Sequence, residues 1–190
     1  MRRRAILVAA VLSEGGILLL AWFQGWLFGT PPFARAALTW QGLVAGVAGT
    51  VPLFLAMWWT GTSSWPPVAR LREQVEEIVR DVFVHLSVTD IAVIAVLAGV
   101  AEEGLFRGVL QVAFGAWITP GVGLAIASAM FGMVHFVTPL YAVLAGLIGL
   151  WLGAMFLVTG NLLGPIVAHA LYDFIALTWL VREARRSEPA

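Results

Sequence analysis

This 190-residue chain contains no cysteine and no lysine. Without a thiol there is no disulfide framework, no thiolate metal site and no cysteine nucleophile. Charge is scarce as well. Only 12% of the residues carry it, about half the share of a soluble domain, and the eleven basic residues balance eleven acidic ones. The lack of a basic excess speaks against a nucleic-acid partner. A composition that is 61% hydrophobic excludes disorder, which needs the reverse balance. No Asp, Glu, Lys or Arg occurs between Gly108 and Tyr172, and that stretch alone can hold up to three passes of roughly 20 residues. The chain reads as an all-α, polytopic helical membrane bundle.

The first apolar run, about residues 5–27, follows Arg2, Arg3 and Arg4. No small-residue cleavage site closes it, so it is expected as a retained helix. A second span is expected at about 40–59, with Trp40, Trp58 and Trp59 as interfacial anchors. Residues 61–87 are the one clearly polar stretch. There Val68, Leu71, Val75, Ile78, Val79, Val82 and Leu86 recur at helical spacing among charged neighbours, the pattern of an amphipathic helix at the membrane surface. Its plain role is packing between spans, and His85 near its end reads as an interfacial histidine. Four further spans are expected at about 88–110, 121–138, 140–158 and 162–181, punctuated by Pro120, Pro139 and Gly164-Pro165. Six spans place both termini on one side. The arginines at the two ends and in the 70–80 segment then make that side cytoplasmic under the positive-inside rule. The expected organisation is an N-terminal two-helix segment with its amphipathic connector (1–87), a core (88–181) and a short cytoplasmic tail (182–190).

Ionisable groups inside spans are costly and mark either function or a buried pair. The candidates are Glu14, Glu102, Glu103, Arg107, His135, His169 and Asp173. Glu103 and Arg107 stand four apart with the acid first, the favoured order for a helical ion pair. Glu102 sits about 100° around the helix from Glu103, so both carboxylates cannot share that arginine. A carboxylate left over in apolar surroundings is what a general base requires. His135 stands in the longest uncharged stretch, where a lone histidine could simply bond a neighbouring carbonyl. His169 and Asp173 are four apart, which suits a carboxylate orienting an imidazole or two ligands on one metal. Three spans thus each present a polar group, and convergence on one site is the expectation. Glu14 has no spaced partner and no role is assigned to it. Gly146, Gly149 and Gly153 form a small-residue face for close helix packing.

Glu102-Glu103-Gly104-Leu105-Phe106-Arg107 reads as EExxxR, Phe131-Gly132-Met133-Val134-His135 as FxxxH, and His169-Ala170-Leu171-Tyr172-Asp173 as HxxxN/D. In this order, on three apolar spans, the motifs resemble the CPBP family of intramembrane proteases, the CAAX proteases and bacteriocin-processing enzymes related to type II CAAX prenyl endopeptidases. The resemblance covers about residues 88–180. It implies an intramembrane endopeptidase in which Glu102 activates a water and His135 assists as partner base or metal ligand. His169 and Asp173 would then supply the oxyanion-stabilising or metal-binding pair, with Glu103 and Arg107 holding the first motif in place. No cofactor is fixed by the sequence. Zinc is the ion that His135, His169 and Asp173 would suit. Many relatives carry Asn where this chain has Asp173, and an ionised carboxylate would repel an oxyanion rather than bind it. A plain six-span layout would also leave His135 and His169 at different depths, so offset, tilted or partly re-entrant helices are expected.

The implied partners are the lipid bilayer and a peptide or membrane-protein substrate, with no nucleic acid, in a bacterial inner (plasma) membrane. Two other classes compete. One is a non-proteolytic scaffold or bacteriocin-immunity protein on the same fold, against which the intact motif set speaks. The other is a proton-coupled transporter, against which the small number of spans and the lack of an inverted repeat speak.

Overall fold

The computed structural model describes residues 2–186. Residues 187–190 of the expected tail lie outside the described residues. The chain runs α1 (Arg2–Phe28), α2 (Trp40–Thr62), α3 (Pro66–Val82) and α4 (Val88–Glu103), then a π-helical segment (Gly104–Gln111) that continues into α5 (Val112–Trp117). It closes with α6 (Pro120–Val134), α7 (Pro139–Thr159) and α8 (Leu163–Arg186). Among the described residues there is no strand. Helix starts follow local chemistry. Thr39, Thr119 and Thr138 each accept a backbone N–H as N-cap residues, with Pro120 and Pro139 in the following first turns. Ser87 and Asp90 form a reciprocal capping box at α4. Gly160 stops α7 with φ of 64°, a left-handed conformation that suits glycine.

α1, α2, α7 and α8 are long and apolar enough to cross a membrane. Their outer surfaces expose large apolar side chains such as Leu12, Leu19, Trp26 and Val158. A soluble monomer does not carry so much apolar surface. The molecule is a helical membrane bundle. α3 buries Val68, Leu71 and Val79 and turns its charged face outward, as the amphipathic pattern predicted.

The span expected at 88–110 instead runs on to Trp117 with a π segment inside it. The wider π turn comes against the α1–α2 connection. A Cβ on Gly104 would stand 2.8 Å from the Phe33 ring, and one on Gly108 would collide with the Pro32 carbonyl oxygen. The span expected at 121–138 ends at Val134. Pro139 disfavours helix at the residue before it, and His135 takes the C-cap with φ −92° and ψ 20°.

One end of the bundle is tied by arginine. Arg3 grips Asp90 through two hydrogen bonds of 2.6 and 2.7 Å, and Arg185 donates to the Val84 and Leu86 carbonyls. The first turns of α1, the last turns of α8 and the α3–α4 turn therefore share that end. At the other end, Asn161 bonds both backbone groups of Ala37, and Leu162 N–H donates to Arg35.

Candidate active site

The last two residues of α4 and the π segment carry the first polar group. Every residue of the π segment is buried. The expected Glu103–Arg107 pair forms, with Arg107 Nη1 donating to Glu103 Oε1 at 2.7 Å and almost no exposure on either side. Arg107 Nη2 donates to the Gly149 carbonyl at 2.9 Å, and its guanidinium lies 4.5 Å from the centre of the Phe131 ring. The glycine face of α7 therefore does more than allow close packing, because it opens carbonyls to buried donors. Gln111, one turn beyond Arg107, does the same to Gly153 at 3.0 Å. Sequence reading passed over Gln111, although its i+4 spacing from Arg107 in an apolar run was the available signal.

Glu103 is also the partner of His169. Its Oε1 lies 2.8 Å from His169 Nδ1, and His169 Nε2 lies 3.3 Å from Asp173 Oδ2. The two i,i+4 pairs seen in the sequence are thus joined into one chain, Arg107–Glu103–His169–Asp173, buried up to His169 and partly exposed at Asp173. Each nitrogen of the His169 ring faces a carboxylate oxygen.

His135 and Glu102 form the second group. His135 packs its ring on Phe131, centroids 4.4 Å apart, with Nδ1 2.8 Å from the Phe131 carbonyl. A carbonyl can only accept, so Nδ1 carries the proton, and in the neutral ring Nε2 presents its lone pair. That lone pair faces Glu102 Oε2 at 3.5 Å. The carboxylate oxygen is buried and accepts no hydrogen bond. Two acceptors converge there, poised to receive a proton from a molecule placed between them. Phe131 also meets His169 edge-on at 5.9 Å. It therefore brings both histidines to one place, which the early end of α6 makes compatible with their different depths.

A cavity of about 630 Å³ opens on this cluster between α2, α3, α7 and α8. His135, His169 and Asp173 are in its wall together with Tyr141 and Tyr172, the two tyrosines of the chain. Most of the remaining wall is apolar and includes the buried face of α3. Glu102 is not itself in that wall and meets the cavity through His135. Glu14 reaches the same region from α1. Its Oε2 is buried with no hydrogen-bond partner, within electrostatic reach of His169 and Asp173. His85 is an exposed residue of the α3–α4 turn and does not line the cavity.

The donors named as a zinc set are not arranged as one. Among the described residues no group of three or more His, Asp or Glu side chains is placed to hold a metal ion. Both His169 nitrogens face carboxylates, and His135 has Nδ1 turned to a carbonyl.

Residues 84–175 match the family described as type II CAAX prenyl endopeptidase Rce1-like. Over these residues the chain is similar to that family. That stretch contains the π segment, both histidines of the cluster and Asp173. A curated relative, the uncharacterized protein YpbD of Bacillus subtilis (strain 168), is 35% identical over 99 residues, which cover 50% of this chain and 48% of that protein. The chain thus spans about half the length of the curated relative it matches. No solved structure matches it.

Proposed function

We propose that this protein is an intramembrane endopeptidase of the CAAX type, with Glu102 as general base and His135 as its partner. The observation that carries the reading is the convergence of Glu102 Oε2 and His135 Nε2, 3.5 Å apart, beside an apolar cavity. A water between them would give a proton to one acceptor while hydrogen-bonding the other. Its oxygen would then attack the carbon of a peptide bond lying in the cavity. Glu103, Arg107 and His169 act as positioning residues, because their buried chain holds the end of α4 against α7 and α8. No step is routed through a metal, since the donor set does not suit one.

The apolar walls favour a hydrophobic peptide or a membrane-protein segment as substrate. The arginine-rich end of the bundle, with Arg3, Arg4, Arg182, Arg185 and Arg186, is the end we assign to the cytoplasm of a bacterial plasma membrane. The test is cleavage of a library of apolar peptides by the purified protein. Glu102→Gln, which keeps the shape and removes the base, should lose roughly 10²–10⁴-fold in kcat while remaining folded and membrane-inserted. Full proteolysis by that variant would overturn the assignment.

A further inference from the structure

Glu14 has no task in the reaction described above, yet a carboxylate in the middle of an apolar helix is costly. Its Oε2 is buried and meets no hydrogen-bond partner among the described residues. The packing of α1 on α4 sets its height. The two helices run side by side in the same direction. Arg3 holds Asp90 at one end, and Leu7 joins the apolar cluster of Ile91. Farther along, Ile17 packs on the cluster of Ala21, Leu105 and Phe106. A Cβ on Gly25 would stand 3.4 Å from Val109. Arg3, Leu7, Glu14, Ile17 and Ala21 follow one another by steps of four, seven, three and four, which keep to one face of a helix. Glu14 is therefore on the face of α1 that meets α4 and the π segment.

At 1.5 Å per residue, Glu14 stands about 16.5 Å beyond Arg3, and Glu102 about 18 Å beyond Asp90. The two carboxyl groups share one height. Glu102 Oε2 is likewise buried without a hydrogen-bond partner, and Glu14 is within its electrostatic reach. The other charged or titratable groups that bear on the two are Glu103, Arg107, His169 and Asp173, together with His135 beside Glu102. Arg107 and His169 Nδ1 are both engaged by Glu103. Two ionised carboxylates would leave two acceptors unsatisfied in a dry interior, where buried polar atoms are normally paired. A single proton held between them satisfies both.

We propose that Glu14 is the partner carboxyl of Glu102, the two holding one proton between them. Glu14 is thus a positioning residue, which steadies the Glu102 carboxyl beside His135 and shares the proton that the base accepts. Its part in catalysis rests on the protease reading above. The resting pair holds one proton. Attack moves a second from water to Glu102 while the water oxygen bonds to the carbonyl carbon and the carbonyl π pair moves onto oxygen. When that electron pair restores C=O, the C–N bond breaks and the leaving nitrogen takes one of the two protons. The carboxyls return to one proton, and no further reactant is required.

The experiment compares the wild type, Glu14→Gln, Glu14→Leu and Glu102→Gln in one detergent by two readouts. The first is infrared spectroscopy at neutral pH, in which a protonated carboxyl has a carbonyl stretch apart from the carboxylate bands. The wild type should show that band, and Glu14→Gln should lose it. The second is kcat and KM on one apolar fluorogenic peptide. Glu14→Leu removes the donor and should lose about 10–10²-fold in kcat, with KM within about threefold of wild type. Glu14→Gln keeps an N–H donor toward Glu102 and should stay within about threefold in kcat. That rescue separates a missing donor from a damaged fold, and if Glu14→Leu does not insert, Glu14→Gln and the band decide. Wild-type kcat in Glu14→Leu beside an inactive Glu102→Gln would overturn the pair and leave the protease reading standing. Equal losses in the two Glu14 variants, or a band that Glu14→Gln leaves unchanged, would overturn it as well. A wild type that cleaves no apolar peptide overturns the protease reading, and the infrared band then decides the pair by itself.

Discussion

Arg107 holds three different kinds of partner at once: the Glu103 carboxylate, the Gly149 carbonyl and the face of Phe131. Lysine could not reproduce that geometry, because it lacks the planar fork. Arg107→Met leaves Glu103 buried with one cation fewer. It should cost about 3–5 kcal/mol of stability, the scale for stripping one partner from a buried pair. Adding Glu103→Gln should recover part of that cost. Thermal unfolding of the single and double variants in the same detergent checks this, and a double variant no more stable than Arg107→Met would contradict it. Activity should not return in the double variant, because Glu103 also faces His169.

A second consequence at this scale concerns chelation. Among the described residues no three His, Asp or Glu side chains are placed to hold a metal ion, so on the proposed reading prolonged dialysis against EDTA should leave peptide cleavage within about twofold of the untreated protein. A loss restored by zinc would place metal chemistry in this site after all.

The π segment is the element that shapes the cluster, and its two glycines at positions 104 and 108 are where it touches its neighbours. Gly108→Ala sets a methyl group against the Pro32 backbone carbonyl, which has no rotamer by which to move away. Overpacking of this kind should destabilise by about 1–3 kcal/mol. Gly15→Ala in α1 meets nothing within 4 Å and should be neutral or stabilise by about 0.5–1 kcal/mol, the helical preference of alanine over glycine. Unfolding midpoints of the two variants against wild type test both signs together.

The elements were legible to the extent that their ends are written in local chemistry. Threonine caps, prolines in first turns and the Ser87–Asp90 box mark starts that any reader of the chain can find. The i→i+5 bonding of residues 104–111 leaves no comparable mark, because its apolar content fits an α-helix equally well. The site divides in the same way. Glu103–Arg107 and His169–Asp173 were visible as i,i+4 pairs. The bond from Glu103 to His169 crosses 66 positions of sequence and comes from packing α4 on α8. The turn after α6 begins earlier than the apolar run suggested, because the run continues through Phe136 and Val137 while the helix does not.

At the scale of the whole molecule, the arginine contacts of Arg3 and Arg185 bring both helical ends of the chain to the α3–α4 turn. A reporter fused before residue 1 and one fused after residue 190 should therefore register the same side of the membrane. The chain has no native cysteine, so single cysteines placed at position 62 and position 161 should label from opposite sides without background. Labelling of both from one side would contradict the alternation of α2 and α8. Arg3→Ala removes a pair whose arginine is 57% exposed. Pairs exposed to this degree add little, so topology should survive its loss and stability should fall only slightly.

The early end of α6 also has a consequence for the lipid. Fifteen residues make a helix of roughly 22 Å, against a hydrocarbon core of roughly 30 Å. Acyl chains beside α6 must shorten or splay where the polar backbone of residues 135–138 emerges, so the bilayer there is drawn thin. Thinning of this kind costs fractions of a kcal/mol per Å of mismatch. The protein should therefore prefer short-chain lipids and drift toward the thinner regions of a mixed membrane, carrying its histidine end to a place where water stands closer to the midplane.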